Sequence, residues 1–109
     1  MNRNQALEAA KKRAQSALAT ASNAGHRVTK LTRSLKKLRS AQAKARAAYL
    51  KRHRSPAARA AFIATQAKAA ARSKAALKAA VKAAAIARAA AGAARAAQRS
   101  AQASFDQCA

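Results

Sequence analysis

Lys30, Arg33, Lys36, Lys37 and Arg39 place five cations within ten residues, and no carboxylate lies near them in the chain. Arg27 and Lys44 extend this cluster, and Lys51, Arg52 and Arg54 crowd a second one. Lys74, Lys78 and Lys82 form a row at i, i+4 spacing further on. Ammonium and guanidinium groups at such density repel one another unless an anion shares the surface. The matching chemistry is phosphate contact, which gains free energy by releasing condensed counterions and requires no base reading. These thirteen residues are therefore the candidate nucleic-acid-binding set. The same imbalance runs through the whole chain: 24 Lys and Arg face only Glu8 and Asp106, for a formal net charge of +22. A charge of this size surrounds a small protein with a field of several kT that attracts polyanions.

Other chemistry finds little material. Glu8 and Asp106 sit at opposite ends of the sequence and do not form an acid/base pair by spacing. His26 and His53 have no Cys, Asp or Glu near either, so metal ligation is not expected. Cys108 has no His or helix start nearby to lower its pKa and reads as an incidental thiol; it also cannot form an intramolecular disulfide alone. The only glycines are Gly25 and Gly92, so no phosphate-cradling glycine loop exists. Neither enzyme activity, a cofactor nor a small-molecule substrate is expected. Aromatic residues make up 3% of the chain, which weighs against recognition of splayed single strands by stacking. Tyr49 and Phe62 are instead expected to flank a turn and pack across it.

The elements that must carry the cations are helices. Alanine supplies 40 of the 109 residues, with Lys, Arg, Gln and Leu filling much of the rest, all favourable helix formers. In the first half, Leu7, Ala14, Ala21, Val28, Leu35, Gln42 and Tyr49 recur every seven residues. Ala10, Ala17, Ala24, Leu31, Leu38 and Ala45 follow three residues after the first six of these. Such a seam argues for a long helix packed on another helix, with Leu31, Leu35 and Leu38 as anchors and Gln42 as the one polar interruption. Gly25 leaves the heptad phase unbroken, so one helix is expected to run through it. Arg52-His53-Arg54-Ser55-Pro56 is the clear break: Ser55 suits an N-cap and Pro56 the first helical position. Arg54-Ser55-Pro56 also looks like a proline-directed phosphorylation site, but the cap accounts for it without a kinase.

The second half is dominated by alanine, and its larger apolar residues Phe62, Ile63, Leu77, Val81 and Ile86 show no regular spacing. Asp106 opposes the negative end of a helix dipole, so the helix is expected to stop just before it. The expected fold is all-α, a single domain of residues 1–109 forming a long antiparallel hairpin: helix 4–52, turn 53–55, helix 56–104. Each helix of about 49 residues runs roughly 73 Å, a length over which duplex DNA carries on the order of 43 phosphates. A charge of +22 neutralises about half of them. A core built mostly of methyl groups is thin, so a homo-oligomer, a repeating assembly or order imposed by a polyanion is also expected.

Lys74-Ala75-Ala76-Leu77-Lys78-Ala79-Ala80-Val81-Lys82-Ala83-Ala84-Ala85 resembles the Lys/Ala-rich arms of linker histones and of bacterial histone-like nucleoid proteins, over residues 57–103. That resemblance implies non-specific DNA binding and condensation of a chromosome or genome. Linker-histone arms are studded with proline, whereas Pro56 stands alone here. The favoured reading is a non-enzymatic protein that coats or condenses DNA in a nucleoid, in the cytoplasm or inside a virion. The alternatives are a structural protein of a ribonucleoprotein such as a ribosome, and a cationic membrane-surface helix or a binder of an acidic protein. No secretory signal is read at the N-terminus and no membrane span in the Ala-rich stretch, which Arg88 and Arg95 interrupt.

Overall fold

The computed structural model describes residues 2–107; Cys108 lies outside them. Two helices account for nearly all of these: α1, Arg3–Arg52, and α2, Pro56–Gln107, joined by a three-residue turn. The expected all-α hairpin is what forms, with its reversal between Arg52 and Pro56 and no strand among the described residues. Gly25 lies within α1 in ordinary helical backbone, since no glycine here has a positive φ.

Caps explain where the helices begin. Asn2 and Gln5 form a reciprocal box: the Gln5 amide donates to Asn2 Oδ1 (2.8 Å) and the Asn2 amide to Gln5 Oε1 (3.2 Å). The box sets the start of α1 at Arg3, one residue before the expected position. At α2, the Ala58 amide donates to Ser55 Oγ (3.4 Å) and Pro56 opens the helix, as the sequence predicts. The other end of α2 departs from expectation. The helix continues through Asp106 to Gln107, because Gln102 Nε2 donates to Asp106 Oδ1 (2.8 Å) and Phe105 is drawn into half-burial. Those gains outweigh the few tenths of a kcal/mol by which an acid near the C-terminus opposes the dipole.

Of the thirteen seam positions read from the first half, all but Ala45 are buried or half-buried. Leu35 is buried, and Leu31 and Leu38 are half-buried. In α2 the irregular spacing of the larger apolar residues conceals a regular seam carried mostly by small ones. Ile63, Ala70, Leu77, Ala84, Ala91, Gln98 and Phe105 recur every seven residues, and so do Arg59, Gln66, Ser73, Ala80, Ala87, Ala94 and Ala101; every one is buried or half-buried. The larger residues Val81 and Ile86 fall outside this seam and stay exposed, at 47% and 64%.

The pair of helices divides into two compact units. The terminal unit is Met1–His26 with Val81–Ala109, and the turn unit is Arg27–Ala80. The buried residues of the terminal unit are Leu7, Ala10 and Ala14 on α1 with Ala84, Ala87 and Ala91 on α2. Small side chains at these positions let two backbones approach closely. Within the turn unit, Gln42 Nε2 donates to the Gln66 carbonyl (2.9 Å) and Gln66 Nε2 to the Gln42 carbonyl (2.8 Å). This reciprocal clasp fixes an antiparallel register in which Leu38 is level with Ala70, Leu35 with Ser73, Leu31 with Leu77 and Val28 with Ala80. The branched chains of α1 thus meet mostly small residues of α2.

Candidate nucleic-acid interface

The division into units sorts the charge. The turn unit holds sixteen Lys and Arg and no acidic residue; the terminal unit holds eight, together with both Glu8 and Asp106. Net charges of +16 and +6 follow from nearly equal lengths of chain. Each carboxylate is engaged locally, Glu8 with Lys11 (3.6 Å) and Asp106 with Gln102. Lys11–Glu8 is the one ion pair among the described residues.

Twelve of the thirteen candidate residues, Arg27, Lys30, Arg33, Lys36, Lys37, Arg39, Lys44, Lys51, Arg52, Arg54, Lys74 and Lys78, lie in the turn unit; Lys82 belongs to the terminal one. All thirteen are exposed. The heptad spacing that directs Leu31, Leu35 and Leu38 inward also orders the cations. Lys30, Lys37, Lys44 and Lys51 recur every seven residues, about 10.5 Å apart along α1, and Arg33 lies one turn from Lys30 on the same outward face. Arg39 sits closer to the seam. With Arg46 it flanks an open groove whose other lining residues are Gln42, Ala43, Ala47, Leu50 and Gln66.

Three basic residues of this unit beyond the candidate set, Arg46, Lys68 and Arg72, are also exposed. Two spacings mark them in the sequence: Arg46 follows Arg39 by seven residues, and Lys68 and Arg72 are an i, i+4 pair. A further one, Arg59, is occupied differently. Its Nε donates to the His53 carbonyl and an Nη to the Leu50 carbonyl, both at 2.7 Å, which satisfies acceptors left open at the end of α1. A guanidinium there also interacts favourably with the negative end of the α1 dipole.

Aromatic rings close the turn. The Tyr49 ring stacks on His53 at 4.0 Å between centroids (22° between planes) and on Phe62 at 4.1 Å (3°). Tyr49 Oη donates to the Ala58 carbonyl (3.4 Å). Tyr49 and Phe62 therefore pack across the reversal as the sequence predicts, and His53, four residues after Tyr49, joins the same stack. The other histidine, His26, lies on α1 with its Nε2 3.4 Å from Ser22 Oγ. Among the described residues no three His, Cys, Asp or Glu side chains gather in one place.

The arrangement presents spaced, outward-facing cations on a helical support held in register, which is suited to phosphate contacts along an extended polyanion. Comparison with protein-family models, curated proteins and solved structures gives no match, so the functional reading rests on these residues alone.

Proposed function

We propose that this is a non-enzymatic, sequence-indifferent nucleic-acid-binding protein that coats or condenses duplex DNA through phosphate contacts. The observation that carries the reading is the turn unit, with sixteen cations, no acid and an ordered row of outward lysines. Counterion release drives such binding, and contacts to phosphate carry no base information, which makes it indifferent to sequence. The resemblance of residues 57–103 to Lys/Ala-rich nucleoid and linker-histone arms points the same way. A repeating coat in a nucleoid or virion is the setting that this chemistry fits. A membrane surface fits less well, because the outward face of α1 in the turn unit is cationic, without the broad apolar stripe an interfacial helix buries.

Fluorescence anisotropy on labelled duplexes of about 40 base pairs tests the reading across roughly 50–200 mM salt. With about ten phosphate contacts, log K should fall against log salt with a slope near −9, equally for unrelated sequences. A slope shallower than about −3, or strong preference for one sequence, rejects it. Running A-form RNA duplexes beside DNA separates coating of DNA from a structural role in a ribonucleoprotein, because tighter binding to RNA favours the latter.

A further inference from the structure

We propose that the hairpin turn is a stacking platform for one unpaired nucleobase, with the outer face of His53 as its surface. This rests on nucleic acid being the partner and adds a base contact to a surface otherwise limited to phosphates.

The geometry of the three rings leads to this assignment. His53 and Phe62 both stack on Tyr49 with centroids about 4 Å away. Two rings cannot occupy one face of Tyr49 at that distance, so Tyr49 is the middle of a three-ring column. Phe62 at one end is half-buried against the hairpin. His53 at the other end is exposed, so the column ends on an imidazole at the surface.

The platform is held in place before any ligand arrives. Arg59 donates to the carbonyls of both Leu50 and His53, the His53 amide donates to the Tyr49 carbonyl (2.9 Å), and Ser55 caps the next helix. A fixed ring costs little ordering entropy when a base stacks on it. Lys51, Arg52 and Arg54 are exposed within two residues of the ring, where they can hold the phosphates on either side of the base. Histidine is among the side chains on which splayed bases stack, and every base offers a π-face, so the contact does not compromise sequence indifference. A base within an intact duplex is already stacked on both sides. The ligand is accordingly an unpaired base in an overhang, bulge or loop.

Two DNA probes with equal numbers of phosphates test the proposal, one a blunt duplex and one with a short single-stranded overhang. The intact protein should bind the overhang probe about tenfold more tightly than the blunt one. His53→Ala should remove that difference without changing blunt-duplex affinity, while His53→Phe should keep it. Proton NMR supplies an independent reading, with His26 as the internal control. The His53 ring resonances should move upfield on addition of the overhang probe and those of His26 should not. Equal affinity of the intact protein for both probes overturns the platform, as does an unchanged overhang preference in His53→Ala. Equal loss on both probes in His53→Ala overturns it too, because the residue would then act only by shaping the turn; circular dichroism of both variants checks the helices. Those results leave phosphate binding standing, whereas failure of the intact protein to bind either probe removes both readings.

Discussion

Leu35 and Leu18 are the same residue on the same helix, yet they should respond very differently to truncation. Leu35 is on the heptad seam and 8% exposed; Leu18 is off it and 39% exposed. Leu35→Ala should therefore cost about 2–5 kcal/mol in urea or thermal unfolding, the range for buried leucines that leave a cavity. Leu18→Ala should fall within about 0.5 kcal/mol of zero, because alanine's helix propensity offsets the small loss of contact. Similar losses at both would mean that the seam contributes no more than any exposed stretch. At this scale the sequence tells large residues from small ones and fixes the phase of the heptad, so Leu31, Leu35 and Leu38 are legible as anchors. It does not tell what a polar residue at a seam position does. Gln42 reads as an interruption, but only the partner helix reveals that Gln66 answers it with a reciprocal bond. Such a pair disfavours other registers, as any slip leaves half-buried amides without partners. Arg59 is similarly opaque, since its role depends on which carbonyls the turn leaves open.

The two helices differ in how plainly their sequences announce them. The period of α1 is marked by Val28, Leu31, Leu35 and Leu38 against polar neighbours. In α2 an equally regular seam runs through Ala70, Ala84, Ala91, Ala87 and Ala94, whose side chains match those on the exposed faces. The informative residues are Ile63, Leu77 and Phe105, set at multiples of seven, while Val81 and Ile86 break the pattern from outside the seam. Burial here falls on alanines chemically identical to those on the exposed faces, which is why periodicity read from the larger apolar residues fails. The start of α2 is legible in Ser55 and Pro56, whereas the Asn2–Gln5 box begins α1 one residue before the expected position and Gln102, four residues earlier, carries α2 past Asp106. The weakest position in α1 is Gly25, which has helical backbone and open space where a Cβ would stand. Gly25→Ala should stabilise the protein by about 0.4–1 kcal/mol through lower entropy of the unfolded chain. Thermal unfolding followed by circular dichroism would show a raised midpoint; a lowered one would mean that the glycine serves close packing.

Across the whole molecule, composition gives a single average of +22, and the fold resolves it into a turn unit at +16 and a terminal unit at +6. The terminal unit also contains both acids and the exposed Leu18, Val81 and Ile86. The distinction matters because a diffuse cationic cloud and a defined docking face attract a polyanion equally at long range but differ on contact. Reversing Arg33, Lys36 and Lys37 to Glu removes charge from the turn unit. Reversing Arg88, Arg95 and Arg99 removes the same amount from the terminal unit and leaves the overall charge of the two variants identical. All six residues are exposed, so neither triple should disturb the seam. If phosphates dock on the turn unit, the first triple should lower the salt slope by about 2.7, three contacts at roughly 0.9 each, and weaken duplex binding far more than the second. A cloud responds only to total charge, so equal losses would reject a docking face. The comparison is best made near 0.15 M salt. There the Debye length of about 8 Å limits each cation to its immediate surroundings, and position along the helices must decide the outcome.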